Sequence, residues 1–431
     1  MEFNPVIISV IVLCALCLFR VNVLLSLMIS ALIAGFLAKM PVEKIMNLFI
    51  SGMGQNSETA LSYILLGTLA AAMTHTGLTK VLSIKIAEFI KGNKYLLIAI
   101  LVVISIMSQN LIPVHIAFIP ILIPPLLSLM NQLKIDRRAI SCALVFGLKA
   151  PYIALPLGFG LIFQGLIADN MTQNGVVVLK TDIWHYSWIL GFAMFLALLF
   201  AIFVSYRKPR EYKVNDELIF EKDEVSLNKK HYITLLGAII TLVVQLISGS
   251  LPLGALIGLC VIFGFRAVSH KKMDFLINEG VGLMGYIAFV MLVCAGYALV
   301  LKETGGIESL VGSLLPIVEN SKLLAACSIL LIGLLITIGI GSSFGTIPIL
   351  AVLFVPLCTK LGFSTPAIII LMCSAAALGD AGSPASDTTL GPTAGLNSDN
   401  QHNHIKDTCI PTFLHFNIAL IIATLIAVCF L

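Results

Sequence analysis

Charge is what this sequence has least of. Asp, Glu, Lys and Arg make up 11% of its 431 residues, against 59% hydrophobic. Soluble globular chains carry about 25% charged residues, so a soluble globular fold is excluded and the chain reads as an all-α polytopic protein of the lipid bilayer. No glycine-rich loop followed by lysine is present to cradle a nucleotide. No nucleophile triad is evident either, so the chain is not read as an enzyme and no cofactor is expected. Energy must then come from an ion gradient, with Na+ or H+ as the coupling ion. The single CxxC, Cys14 to Cys17, lies inside the first apolar run without a second ligand pair, so the ten cysteines read as small packing groups. A net charge of +4 gives no reason to expect nucleic acid. The run from Pro5 to Phe19 has no basic residue before it and no A-x-A-like site after it, and reads as a retained helix.

Long apolar runs are abundant. They fall at 5–19, 22–38, 57–77, 95–112, 113–130, 139–168, 184–206, 231–249, 252–268, 283–301, 322–340, 344–359, 365–395 and 411–431, most near spanning length once tilt is allowed. One hydrophilic stretch, 207–230, divides them. Sliding the second part over the first by 228 positions puts Gly52 on Gly280, Gly54 on Gly282, Thr76 on Thr304, Gly77 on Gly305, Pro120 on Pro348 and Pro156 on Pro384. The chain therefore reads as a duplicated unit, 1–206 and 231–431, joined by a charged cytoplasmic linker, 207–230.

The run through 365–395 holds the stretch on which the rest turns, Gly379-Asp380-Ala381-Gly382-Ser383-Pro384-Ala385-Ser386-Asp387-Thr388-Thr389. A carboxylate at the bilayer centre costs roughly 2.5–3.5 kcal/mol on insertion scales. Glycine and proline also break the helix there, and unwound backbone survives at that depth only where protein or a watery cavity satisfies it. Oxygen-rich, broken and doubly acidic, the segment suits a hard cation. Asp380, Ser383, Asp387, Thr388 and Thr389 are the cation or proton candidates, with Ser342 and Ser343 from a second polar interruption.

That interruption, Gly341 to Thr346, and its counterpart Ser108-Gln109-Asn110 read as tips of re-entrant hairpins. Residues 78–92 between them and the preceding span read as an amphipathic interfacial helix. Hairpins leave about five crossings per repeat, an odd number, so the halves are read as inverted. An inverted scheme with the linker inside also gathers more lysine and arginine on the cytoplasmic side than a parallel one.

In the first half the break is Lys149-Ala150-Pro151-Tyr152 followed by Pro156-Leu157-Gly158-Phe159-Gly160. It carries a lysine and no acid. Lys149 is open to three readings: an ion pair with Asp380 or Asp387, a direct contact to substrate, or a proton carrier. Ser108, Gln109, Asn110, Lys149, Tyr152, Thr346 and Thr393 are the substrate-binding candidates. His402, His404 and Asp407 form either a weak metal cluster or a polar loop between spans, the loop being preferred. Gln55 to Glu58 read as a solvated helix start, and His115 as a packing histidine. No metal is expected beyond Na+.

The motif Gly379-Asp380-x-x-Ser383-Pro384-x-Ser386-Asp387-Thr388-Thr389 resembles the signature of the NhaC-type sodium/proton antiporter family of the ion transporter superfamily. Its continuation, Leu390 to Asn397 with His402, His404, Asp407-Thr408-Cys409 and Pro411-Thr412-Phe413-Leu414-His415, resembles the YuiF-type subgroup, regarded as amino-acid transporters with histidine one proposed substrate. The resemblance implies inverted repeats with paired re-entrant hairpins, a scaffold domain that often dimerises, a moving transport domain, and residence in the plasma or inner membrane. Ala381-Gly382 stands where the NhaC pattern has a bulkier, often lysine-containing pair, which weakens the case for simple sodium/proton exchange. The favoured expectation is Na+- or H+-coupled transport of a small amino acid. Sodium/proton exchange is the alternative, and a membrane sensor or partner subunit is a third class that the short linker and the lack of a soluble domain disfavour.

Overall fold

Prolines, glycines and polar caps decide where the helices of this chain stop. The computed structural model describes residues 4–19, 21–78, 81, 93–110, 119, 123, 126–127, 129–213, 227–306, 321–340, 342–384 and 386–431. The first part holds α1 (Pro5–Leu18), α2 (Val23–Leu37), α3 (Val42–Met53), α4 (Ser57–His75), α5 (Lys94–Asn110), α6 (Arg137–Ala154), α7 (Phe159–Gln173) and α8 (Lys180–Ser205). The second holds α9 (Lys229–Ser248), α10 (Leu251–Gly264), α11 (Met273–Glu303), α12 (Lys322–Ile340), α13 (Ser343–Lys360), α14 (Thr365–Ala377), α15 (Asp387–Leu396) and α16 (His404–Phe430), the last with π-helical turns at His404–Cys409 and Phe413–Asn417. Among the described residues there is no strand. Five helices there are long and apolar enough to cross a membrane, or six if α6 and α7, bent by 47°, form one broken span.

Helix starts recur. Val23 and Leu251, Lys94 and Lys322, Arg137 and Thr365, and Phe159 and Asp387 each open a helix, and each pair is separated by the 228 positions that also separate Tyr152 from Asp380. Packing recurs at the same spacing. A β-carbon on Gly147 would strike Ser105 Cβ at 2.5 Å, and one on Gly333 would strike Ala375 Cβ at 2.8 Å, so α5 meets α6 as α12 meets α14.

The contact between α3/α4 and α11 pairs the two parts reciprocally. A β-carbon on Gly52 would lie 2.9 Å from Gly296 Cα and 3.0 Å from the Ala295 carbonyl oxygen. Shifted by the same offset, Gly280 meets Thr68 with 2.6 Å to its Cα, and Gly67 meets the Gly280 carbonyl oxygen at 2.5 Å. When residue i touches the mate of j and the mate of i touches j, the contact has a local two-fold axis. Close backbone approach of this kind is how helices associate where lipid supplies no hydrophobic drive.

Two expectations change in detail. The span read as beginning at 283 belongs to a 31-residue helix that starts at Met273; Asp274 and Glu279 dilute the hydropathy of its first turns. The stretch read as a linker is not free of the fold at its start. Arg210 donates from its backbone to the Lys134 carbonyl at 3.1 Å, and Lys213 N–H donates to Gln401 Oε1 at 2.7 Å. The interfacial helix read at 78–92, apart from Leu78 and Val81, and His115 lie outside the described residues.

Gly280 and Gly282 separate packing from propensity within one helix. Gly280→Ala is expected to lower stability by about 1–3 kcal/mol through overpacking against Thr68. A β-carbon on Gly282 meets nothing within 4 Å, so Gly282→Ala should gain about 0.5–1 kcal/mol. Thermal unfolding of the two variants in detergent checks this, and equal effects would refute the packing assignment.

Candidate functional site

Two broken helices and one helix start meet around a buried ion pair. On the first-half side, α6 carries Lys149, Pro151 and Tyr152 in its last turns and stops at Ala154. The N–H that proline lacks, and its ring, loosen that turn, and Gly158 at φ 57° starts α7. On the second-half side, α14 stops at Ala377 and the chain crosses to α15 through Gly379 at φ 85° and Gly382 at φ 108°. Those angles suit glycine, and there is no room for a side chain at either place: a β-carbon on Gly379 would meet the Leu334 carbonyl oxygen at 2.8 Å, and one on Gly382 the Phe413 Cβ at 2.5 Å. Asn417 of α16 ties down the break, accepting from Gly379 N–H at 3.1 Å and donating to the Ala381 carbonyl at 3.0 Å.

Lys149 Nζ lies 3.1 Å from Asp380 Oδ2, with both side chains almost wholly buried (0% and 4% exposed). Among the readings open for Lys149, this geometry is the ion pair with Asp380. Ser343 at the start of α13 donates to the same oxygen at 2.7 Å, and Tyr152 OH lies 3.0 Å from Ser343 Oγ and 3.2 Å from Asp380 Oδ2. Lys149 also reaches Ser343 Oγ at 3.4 Å. Asp380 Oδ1 takes a very short hydrogen bond from Ser386, whose hydroxyl is in turn 2.8 Å from Thr388 Oγ1. Both carboxylate oxygens are thus occupied, as a buried charge requires.

Helix ends converge here. Ser342 caps α13 by accepting from Gly345 N–H, and Ser386 caps α15 by accepting from Thr388 N–H. Phe159, first residue of α7, packs on Phe344 of α13 with centroids 5.6 Å apart. Two helix N-termini, those of α13 and α15, each with partial positive charge, therefore border the pair, and the start of α7 lies against Phe344. Phe344 also contacts Tyr63, Tyr152 and Phe163 at 6.2, 5.1 and 5.7 Å, giving the site an aromatic wall. Tyr63 of α4 and Phe163 of α7 are absent from the residues singled out by sequence, unlike Tyr152; an aromatic in an apolar run has no signal of its own.

The other candidates divide. Thr389 bonds the Ser383 and Ser386 carbonyls at 2.6 and 3.0 Å, Ser383 the Ile338 carbonyl at 3.1 Å and Thr346 the Ser343 carbonyl at 2.9 Å, so these three hydroxyls knit the break. Asp387 opens α15 half-buried, with Ser386 Oγ at 3.5 Å. Thr393 is placed elsewhere, in a chain running from His404 Nδ1 (2.8 Å) through Thr393 to Thr408 (2.9 Å) and His402 Nε2 (2.7 Å). Ser108 bonds the Ser105 carbonyl at 3.1 Å, and Gln109 is buried with its Oε1 unpartnered among the described residues. The backbone of Asn110 ends α5 and its side chain lies outside the described part. Among the described residues no group of three His, Cys, Asp or Glu side chains is placed to hold a metal. Asn56 is buried and donates to the Met291 carbonyl at 3.0 Å, so that helix start is packed at Asn56 and exposed at Ser57 and Glu58.

A second charged centre was missed. Arg137, wholly buried, makes a two-pronged ion pair with Asp399 and donates to the Leu396 carbonyl at 2.8 Å, stacking on Tyr212 at 4.2 Å. Arg210 binds Asp407 at 2.8 Å beside it. Burial raises the Asp399 carboxyl, but the Arg137 hydrogen bonds and charge, with Gln401, outweigh it and hold it below the usual range. Burial pushes the His402 imidazole down to about 4 against the pull of Asp407.

Comparison with known proteins gives a consistent outcome. The sequence profile described as the Na+/H+ antiporter family matches residues 143–428, and a second, the Na+-H+ antiporter family, matches residues 4–90. The chain is 47% identical over 431 residues to an uncharacterized membrane protein of Vibrio parahaemolyticus, covering 97% of this chain and 98% of that one. It is 45% identical over 436 residues to the Bacillus subtilis protein named "Putative amino acid transporter YuiF", with 97% and 98% covered. Among solved structures, the Alcanivorax borkumensis YdaH transporter aligns with TM-score 0.60 at 12% identity over 90% of this chain and 88% of that one, a likeness of fold.

Two outcomes follow from this geometry. Lys149→Met leaves Asp380 buried without its counter-charge and should cost about 3–5 kcal/mol, while Lys149→Met with Asp380→Asn should recover much of that loss; additive losses in denaturant unfolding would contradict the pairing. His402 is neutral in the fold and takes up a proton on unfolding between about pH 6.5 and about 4. Stability should therefore fall as pH drops through that window, by up to roughly 1.4 kcal/mol per unit, and His402→Gln should flatten the slope. Below it, loss of the Asp399 charge removes the Arg137 pairing as well. A slope unchanged in His402→Gln would refute the assignment.

Proposed function

The chain belongs to the Na+/H+ antiporter family, a family of membrane transporters, and from that premise we propose that it couples the movement of a small amino acid, histidine among the candidates, to Na+ or H+. The observation that carries the amino-acid reading is that Asp380 already has a counter-charge in Lys149 at 3.1 Å, while the N-termini of α13 and α15 and an aromatic wall border the pair. In cation exchange alone Lys149 would serve only as a structural counter-charge, and the aromatic wall would have no part. A zwitterion would use both: its carboxylate is attracted by Lys149 and the helix N-termini, its ammonium by Asp380 or Asp387, and its side chain lies against Phe344, Tyr63 and Phe159.

Asp387, half-buried beside Ser386 and Thr388, is the acid for the coupling ion, with the hydroxyls of Ser386 and Thr388 as neighbouring oxygens. Cation binding there orders the break that also presents Asp380, so each ligand strengthens the other by the same factor. The two parts, 1–206 and 231–431, act as inverted halves about the Tyr152–Asp380 contact; residues one repeat apart can touch each other only close to a two-fold axis. The second reading is sodium/proton exchange, which the family match over 143–428 favours and in which the acids alternate between Na+ and H+.

Uptake of radiolabelled amino acids, beginning with histidine, into proteoliposomes under an imposed inward Na+ or H+ gradient tests this. Accumulation that follows the gradient and falls about 10- to 100-fold in Asp387→Asn, at unchanged thermal stability, is the expected result, from the strength of hydrogen bonds to charged groups. Sodium-driven pH change in the lumen with no amino-acid accumulation would replace the proposal by exchange.

A further inference from the structure

Where α8 leaves its apolar segment the chain turns abruptly basic: the span Lys180–Ser205 is followed by Tyr206, Arg207 and Lys208. At that level α5 begins with Lys94, and the turn before α6 carries Lys134. Together these residues line a cleft of about 40 Å³, with Lys94, Lys134, Arg207 and Lys208 around it and Ile98 and Ile202 at its apolar wall. Arg207 and Lys208 are exposed and make no ion pair among the described residues.

Among the described residues, the neighbouring acids do not neutralise the cleft. Asp136, which also lines it, is held by Arg138 at 2.6 Å, with Arg210 3.8 Å away. Glu211 is held by Lys134 at 2.7 Å, which leaves Lys94, Arg207 and Lys208 without an acid partner among the described residues. Directly beside the cleft, Tyr95 stacks on Phe203 with centroids 5.3 Å apart, and Phe203, Val204 and Phe200 are 50%, 56% and 56% exposed. These side chains lie on the outer face of a membrane-crossing helix.

The geometry points to a binding site for the headgroup of an anionic phospholipid. A cationic cleft at the membrane boundary continuous with an apolar helix face fits the two ends of one molecule: the phosphate meets Lys94, Arg207 and Lys208, and the acyl chains run along Phe203 and Phe200. Soluble phosphate would use only the first half of this surface. The lipid would also bridge α5, the turn before α6 and the start of the inter-repeat segment, which is already joined to that turn by the Arg210 to Lys134 backbone bond.

Full-length protein in phosphatidylcholine nanodiscs or neutral detergent, titrated with phosphatidylglycerol and followed by native mass spectrometry and thermal unfolding, tests the site. The expected result is saturable binding that raises the unfolding temperature and is weakened about 30-fold in Arg207→Gln/Lys208→Gln, from roughly fivefold per basic residue at an anionic surface. Lys271→Gln/Lys272→Gln, which removes the same charge from an exposed turn outside the cleft, should bind as the parent does. Equal loss in both double variants would show a general charge effect and overturn the site. Matching stabilisation by inorganic phosphate would make it a site for a soluble anion and overturn the lipid assignment, and so would equal binding of phosphatidylcholine.

Discussion

The arrangement of this protein depends on one buried ion pair. Lys149 and Asp380 come from different halves of the sequence and meet at 3.1 Å where neither is reached by solvent. Each alone would cost several kcal/mol, roughly 2.5–3.5 on insertion scales. Together, and with Ser343, Ser386 and Tyr152 on the carboxylate, they permit helices α6 and α14 to stop inside the protein and helices α7, α13 and α15 to start there. The broken backbone and the pair therefore need one another: the breaks bring the hydroxyls and helix termini that satisfy the charges, and the charges fix where the breaks face.

A spacing of 228 positions relates residues that meet around the pair. Tyr152 and Asp380 occupy equivalent positions one repeat apart, and they touch at 3.2 Å. The same offset relates the Gly52 contacts on α11 to the Gly280 contacts on α4. At that spacing Tyr152 stands opposite Asp380 and Lys149 corresponds to Ala377, so the charge at the contact is not mirrored between the two parts of the sequence.

Legibility in the sequence followed the cost of each residue in its surroundings. Asp380, Asp387 and Lys149 stood out because charges within apolar runs are expensive and need a reason. Gly379, Pro384 and Pro156 stood out because they break helices. Arg137 and Asp399 gave no such signal; both lie at polar boundaries where charge is cheap, and only tertiary structure shows that one is wholly buried on the other. Thr393 groups with the site by its nearness in sequence, but two turns of helix carry it to His404 and Thr408. The docking of residues 207–213 was illegible for a related reason: short polar segments carry no periodicity to say what they lie against.

The central claim is that the break between α14 and α15, with the start of α13, is where ligand binds. Hydrogen–deuterium exchange of the reconstituted protein tests it directly, comparing Na+ with choline at fixed pH, each with and without histidine. Slower exchange confined to the amides of 379–389 and 343–346, larger when Na+ and histidine are both present, is the expected result. Unchanged exchange in those segments under conditions that support transport, with protection appearing elsewhere, would contradict the account.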